Sequence, residues 1–221
     1  MSGGILDMEE GAIYDRKKNE TRFGVFSEHA EKVELCLFDE HGKELGREQR
    51  GEIRVNTPSL TIGYVNDPEK NKACLQGGWL HTGDLGLLDK NGKLFIYGRM
   101  TQYVEAEGGE KVYLFDIANR LREDPAVKEA LACRLAAEDS PLVAHVVLKE
   151  GLQETEQEVL CRLDNNMSAF LPAGLHIDGY RLEREQLKIN IVGKTDRHYY
   201  THLLSDYFEI RNGELHAVNF L

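Results

Sequence analysis

The spacing of apolar residues changes once along this chain, near residues 98–103, and that change is the strongest constraint on what it can fold into. Before it, apolar residues come in short runs bounded by turn signals: Val33 to Phe38 ahead of Asp39-Glu40-His41-Gly42, Glu52 to Val55, and Lys93 to Tyr97 behind Asp89-Lys90-Asn91-Gly92. Phe23 to Phe26 reads as a further strand, whereas residues 1–20 carry no sustained period and are expected to form a loop or lead-in. After the change, Val112, Leu114, Ile117, Ala118 and Leu121 fall at amphipathic-helix spacing, followed by strand patterns from Val127 to Leu135 and Leu142 to Leu148. Gln157 to Leu163 reads as a helix, Leu175 to Leu182 as a strand and Asp196 to Ile210 as a closing helix. The expected class is α+β: a mostly-β segment over residues 1–99, then a small α+β domain over residues 100–221 with a short sheet packed by helices.

Charge narrows the function classes. With 27 Lys and Arg against 38 Asp and Glu, the net charge is −11, so the average field repels nucleic acid and anionic lipid. Neither nucleic acid nor membrane is expected as a partner, and any bound nucleotide must be held by local groups. No run approaches the roughly 18 apolar residues of a membrane span, and Met1 to Glu10 lacks the pattern of a signal peptide. A cytoplasmic location is the expectation. Cys36, Cys74, Cys133 and Cys161 lie far apart without a C-x-x-C pair, which argues against a zinc site or a disulfide framework.

Two segments have the composition of chemistry. In Gly77-Gly78-Trp79-Leu80-His81-Thr82-Gly83-Asp84, glycines flank a short stretch ending in a carboxylate, which suits a tight loop that brings backbone close to a ligand. Asp84 could accept two hydrogen bonds there, and a ribose diol offers two donors; a glycine-rich turn with Asp84 capping its own backbone is the plainer alternative. The second segment, Asn190 to Arg197, places Lys194 after Gly193, where its charge could stabilise anionic oxygens. Here the alternative is an exposed lysine at a helix start capped by Thr195 or Asp196. His81 invites a general-base role, but no partner is evident to orient it, and it reads as a structural loop residue. His198 and His202 stand four apart without a third ligand, so no metal site is expected.

Gly51-Glu52-Ile53-Arg54-Val55, Gly63-Tyr64-Val65-Asn66-Asp67-Pro68-Glu69, the motif ending at Asp84, Asp89-x-x-Gly92 and Gly98-Arg99 follow one another in register. This order resembles the C-terminal portion of the adenylate-forming superfamily, which includes acyl-CoA synthetases, firefly luciferase and nonribosomal peptide synthetase adenylation domains. The resemblance covers about residues 32–211. It implies ATP or AMP as ligand, with Asp84 on the ribose hydroxyls and Arg99 on the ribose or phosphate region. It further implies a hinge at Thr101, a thiol path lined by Gly108 for CoA or a carrier-protein pantetheine, and Lys194 as the catalytic lysine bridging carboxylate and phosphate oxygens. Thr101 stands where relatives commonly carry Asp or Lys. The loop Val104-Glu105-Ala106-Glu107-Gly108 is acidic where relatives often carry Lys or Arg, which disfavours the CoA phosphates.

The family's phosphate loop, its adenine and magnesium segment and most of its carboxylic-acid pocket have no counterpart in this sequence. The chain is therefore expected to be a fragment of an ATP-dependent carboxylate-activating ligase that does not catalyse adenylation alone. Its expected partners are nucleotide, carboxylic-acid substrate, the missing N-terminal adenylation region and, as one acceptor, an acyl carrier protein, with Mg coming mainly from the missing region. A different class of reading comes from Arg22 to Asp39, which resembles the N-terminal β-sandwich of glycogen-debranching enzymes and would imply a non-catalytic glucan-binding module. A scaffold relative that kept the fold and lost the chemistry is the third.

Overall fold

The computed structural model describes residues 11–15, 20–24, 34–191 and 193–220, with side chains from residue 34 onward. They divide into two compact units, residues 1–95 and 96–221.

In the first unit, β1 (Gly11–Asp15) and β2 (Glu20–Gly24) pair antiparallel, so part of the segment expected to be a lead-in is strand. The expected strand at Phe23 to Phe26 overlaps β2, and its last two residues lie outside the described ones. Then follow β3 (Glu34–Phe38), β4 (Glu44–Leu45), β5 (Arg50–Asn56), α1 (Pro68–Cys74), β6 (Leu75–Gln76), β7 (Trp79–Leu88) and β8 (Leu94–Arg99), which begins in this unit. The sheet order is β4-β3-β5-β7-β6, with β8 against β7.

Two turns are built alike. The Asp39 carboxylate accepts from the amides of His41 and Lys43, at 2.9 and 2.8 Å, and Asp89 does the same for Asn91 and Lys93, at 2.8 and 2.7 Å. These backbone donors, those of Lys43 and Lys93 foremost, hold both carboxyls below the usual Asp range. The turns fix the register of the strands they join. Helix α1 starts where Asp67 caps the Lys70 amide at 3.0 Å and Pro68 supplies a fitting first residue. Leu37, Ile53 and Leu85 form the buried centre of the unit. Gly51 and Gly86 face each other across β5 and β7, and a Cβ on Gly86 would sit 2.7 Å from the Ile53 side chain.

The second unit opens with the hairpin β9 (Tyr103–Glu105) and β10 (Lys111–Tyr113), then α2 (Leu114–Arg122). It continues with β11 (Val127–Arg134), β12 (Leu142–Leu148), α3 (Glu156–Phe170), β13 (Gly179–Glu183), α4 (Arg197–Thr201), β14 (Tyr207–Arg211) and β15 (Glu214–Val218). Strands β11 to β15 form one sheet in sequence order, and only β12 and β13 are parallel, joined by α3 as their crossover. Alternation along the strands gives the sheet two apolar faces. Ala130, Ala132, Ala144 and Val146 meet Ile117 and Leu121 of α2 and Leu160, Leu163 and Met167 of α3. Leu131, Cys133 and Val143 meet Tyr200 and Tyr207 on the other side. The class is α+β, as expected.

Two segments differ from the sequence reading. The expected closing helix at 196–210 is only α4, five residues long, and the chain then forms the hairpin β14–β15 across Asn212-Gly213. Both turn residues have left-handed backbone, φ 53° and 79°, which Asn-Gly favours and a helix forbids. Likewise, β13 begins at Gly179 rather than Leu175, because the preceding residues turn back on Pro172 through a hydrogen bond from the Leu175 amide.

Candidate functional site

The motif expected to be a tight loop is mostly strand. Gly77 and Gly78, at φ 57° and 83°, make the turn of the β6–β7 hairpin, and Trp79 onward belongs to β7. Trp79 packs edge-on against Phe38 with ring centroids 5.3 Å apart, and the Arg54 guanidinium lies 4.4 Å from the same Phe38 ring. The loop character survives in one place. Arg54 pairs with His81 and Glu52 with Leu85, so that Ile53 alone on β5 faces Thr82, Gly83 and Asp84 on β7. This is a β-bulge with two extra residues on β7, and Gly83 at φ 68° supplies its left-handed residue.

Side chains staple the bulge to its neighbour strand. The Thr82 hydroxyl donates to the Ile53 carbonyl at 2.7 Å and accepts from the Asp84 amide at 3.0 Å. Glu52, only 8% exposed, accepts from the Gly83 amide on Oε1 at 3.3 Å. Its Oε2 faces Arg54 Nε at 2.7 Å and His81 Nδ1 at 3.1 Å. His81 is thus oriented by a carboxylate 29 residues away, which corrects the reading that nothing is placed to orient it. Half-buried Asp84 sits on the outgoing limb of the bulge.

The remaining candidates belong to the second unit. Arg99, exposed, ends β8, and Thr101 stands exposed in the turn closed by the Gln102 amide on the Arg99 carbonyl at 3.0 Å. Gln102 then accepts from the Leu114 amide at 3.0 Å, which ties this turn to the start of α2. Gly108 lies exposed in the β9–β10 turn, closed by hydrogen bonds between Ala106 and Glu110 and from Gly109 to Ala106. The left-handed residue of that turn is Gly109, at φ 79°; Gly108 is not left-handed, and a Cβ on it would meet nothing within 4 Å. A need for positive φ therefore does not account for Gly108. Glu105, Glu107 and Glu110 are all exposed around it.

Lys194 is exposed on a loop fastened at its base. Ile189 bridges Thr195, the Asn190 amide donates to the Lys194 carbonyl at 2.7 Å, and the Lys194 amide donates to Asn190 Oδ1 at 3.1 Å. Asp196 caps α4 through the Tyr199 amide at 3.1 Å, so the capping half of the plainer alternative is realised while the loop still carries Lys194 outward. Below the loop, the Tyr200 hydroxyl accepts from the Lys188 amide at 2.7 Å, and Lys188 Nζ lies 3.8 Å from the centre of the Tyr199 ring. Arg99 and Thr101 share one turn, while Gly108 and Lys194 occupy separate loops. Sequence reasoning named Glu52 only as part of the Gly51 to Val55 match and missed its role, because its partners His81 and Gly83 lie 29 and 31 residues away.

Among the described residues, no three His, Cys, Asp or Glu side chains cluster as a metal-ligand set, so they do not fit a magnesium site of their own. No helix among them is long and apolar enough to cross a membrane.

Residues 10–56 match the model of carbohydrate-binding module 48, the isoamylase N-terminal domain. Relatives align over more of the chain. Oxalate–CoA ligase of Arabidopsis thaliana is 32% identical over 62% of this chain and 27% of its own length. A 2-succinylbenzoate–CoA ligase of Bacillus cereus strain Q1 is 39% identical over 54% of this chain and 25% of its length. A crotonobetaine/carnitine–CoA ligase of Escherichia coli is 29% identical over 89% and 38%. Among solved structures, the amide bond synthetase McbA from Marinactinospora thermotolerans superposes with a TM-score of 0.62 at 29% identity, covering 76% of this chain and 33% of that one. The AMP complex of the Bacillus subtilis O-succinylbenzoate coenzyme A synthetase MenE gives 0.56 at 26% identity, covering 83% and 35%. The chain is a C-terminal portion of the adenylate-forming superfamily. It spans between a quarter and two-fifths of the length of these relatives.

Proposed function

We propose that this chain supplies the ribose-side strand and the lysine loop of an ATP-dependent carboxylate-activating ligase. In that reaction a carboxylate attacks the α-phosphorus of ATP to give acyl-adenylate and pyrophosphate, and a nucleophile then displaces AMP. Asp84 would accept from the ribose hydroxyls, Arg99 would donate to the ribose or phosphate, and Lys194 would bridge the anionic oxygens that approach each other in the first step. Rotation near Thr101 would then exchange the Lys194 loop for the Gly108 turn. The observation that carries this reading is the bulge: a left-handed glycine and three side-chain staples hold the Asp84 backbone in one conformation.

The second-step acceptor is a thiol, and the exposed acidic residues around Gly108 favour a carrier-protein pantetheine over free CoA, whose phosphates they repel. A region beyond this chain would supply the phosphate loop, the magnesium ligands and the acid pocket, so the chain alone is inactive. The carbohydrate-binding reading rests on the match over residues 10–56. The single Trp of the chain gives it no help, since the Trp79 ring packs against Phe38.

Titration of the chain with AMP, a sulfamoyl acyl-adenylate analogue and a maltooligosaccharide decides between the readings. Nucleotide-dependent shifts of the Asp84 amide support the ligase reading, and glucan binding without response to either nucleotide overturns it. Lys194→Ala in a complex supplemented with the adenylation region should cut adenylation by about a hundredfold or more, with little effect on thioester formation from supplied acyl-adenylate. Equal losses in both steps would remove the role given to Lys194.

A further inference from the structure

Glu52 makes more contacts to the Asp84 bulge than a strand residue needs for its own burial. A carboxylate that is 8% exposed is costly unless it is met by donors, and Glu52 is met by three: Arg54 Nε at 2.7 Å, His81 Nδ1 at 3.1 Å and the Gly83 amide at 3.3 Å. Two of these would satisfy the charge within the sheet. The third reaches the left-handed glycine immediately before Asp84, at the point where β5 and β7 lose register. A second side-chain tie comes from Thr82, which joins the Ile53 carbonyl to the Asp84 amide.

The two ties act on opposite sides of Gly83. Thr82 holds the N–H of the Gly83–Asp84 peptide, and Glu52 holds the N–H of the Thr82–Gly83 peptide, so together they fix the two successive peptide planes that meet at Gly83. Without Glu52, Gly83 has the free φ and ψ of a glycine, and the direction in which the chain leaves the bulge is no longer set. We infer that Glu52 is a positioning residue for Asp84: it touches no ligand, but diol recognition by Asp84 depends on its hold on Gly83. This rests on the ribose role proposed for Asp84. The geometric half of it, that Glu52 sets the bulge, stands independently of any ligand.

Glu52→Gln is the informative variant. A carboxamide offers one oxygen instead of two, and the Arg54 guanidinium and His81 claim it, which leaves an NH2 group against the Gly83 N–H. Arg54→Met is its counterpart, removing a partner of Oε2 while leaving the Oε1 bond to Gly83. In the 15N-labelled chain, Glu52→Gln should speed hydrogen exchange at the Gly83 amide by about tenfold, while Val55 and Leu80 in the same sheet keep their protection and Arg54→Met leaves Gly83 unchanged. Unchanged exchange at Gly83 in Glu52→Gln, or equal acceleration by both variants, overturns the positioning role.

The ligand arm compares AMP with 2′,3′-dideoxy-AMP by NMR titration of the same chains. Native chain and Arg54→Met should prefer AMP by about tenfold, as expected for two hydrogen bonds, and Glu52→Gln should lose most of that preference while still binding both nucleotides weakly. A native chain that binds both equally overturns the ribose role of Asp84 and with it the diol half of the inference, and the exchange arm then still decides whether Glu52 sets the bulge. A retained preference in Glu52→Gln despite faster Gly83 exchange overturns the link between bulge and diol.

Discussion

His145 is fully buried in β12 and should make the stability of the second unit depend on pH in a window of its own. Its Nδ1 lies 2.9 Å from Glu183 Oε1 and its Nε2 3.2 Å from the Tyr207 hydroxyl. A neutral ring therefore donates from Nδ1 to Glu183 and accepts on Nε2 from Tyr207, whose oxygen also lies 2.9 Å from the Leu203 carbonyl oxygen. Tyr200 packs edge-on at 4.6 Å, and Arg181 pairs with the same Glu183 oxygen at 2.6 Å. Burial pushes the imidazole below its ordinary value of 6.5, and Glu183 offsets this only in part. The folded unit therefore keeps His145 neutral at a pH where the unfolded chain has taken up a proton.

The sign follows from that difference. With the folded value depressed, the stabilisation is present above 6.5 and is lost as the pH falls below it toward the folded value. One proton of difference sets a ceiling of about 1.4 kcal/mol per pH unit on the slope of that loss. Burial raises the Glu183 carboxyl, but His145 and Arg181 outweigh it and hold it low, so Glu183 stabilises the fold above the usual Glu range and loses that contribution only as the pH falls below it. Urea unfolding followed by the NMR intensities of β12 and β13 amides, in native chain and in His145→Gln, isolates the effect, because the comparison is of slopes and tolerates a less stable variant. Parallel curves for the two proteins between about pH 5 and 7, or a His145 ring resonance that titrates at or above its ordinary value, would refute the reasoning. The consequence reaches the lysine loop, since Tyr200 carries the Lys188 amide on its hydroxyl.

The β9–β10 turn distinguishes its two glycines. Gly109→Ala should lower the stability of the second unit by about 1 kcal/mol through the cost of left-handed backbone, while Gly108→Ala should stay within about half of that, as thermal unfolding would show. At the start of α3, the Thr155 hydroxyl accepts from the Glu158 amide at 3.2 Å while the Glu158 carboxylate accepts from the Thr155 amide at 2.7 Å. Thr155→Ala breaks this capping box and should cost about 1 kcal/mol in chemical denaturation, with fraying of the first turn visible in amide exchange.

What could be read from the sequence depended on how local its physics is. Turns such as Asp39 to Gly42 are written within four residues, and the α2 stripe within eight, so both were legible. The β14–β15 hairpin was equally local, through Asn212-Gly213, but the apolar residues after Asp196 also fit a helical spacing, and that pattern hid the turn. At the candidate site, the residue types that suggested Asp84 and Lys194 are local, and so are their nearest backbone ties, to Thr82 and Asn190, whereas the support behind those ties is not. Glu52 reaches Gly83 across 31 residues, and Tyr200 supports the loop base at Lys188 from the following helix. A motif read along the chain names the residue that would meet the ligand, and the fold adds the partner that fixes its direction. For Asp84 that partner is a buried carboxylate in the neighbouring strand, acting through Gly83, and for the base of the Lys194 loop it is a tyrosine packed edge-on against a buried histidine. Substitutions at Glu52 and Tyr200 should therefore disturb the candidate site more than changes at exposed Thr101, although neither belongs to a motif that faces a ligand.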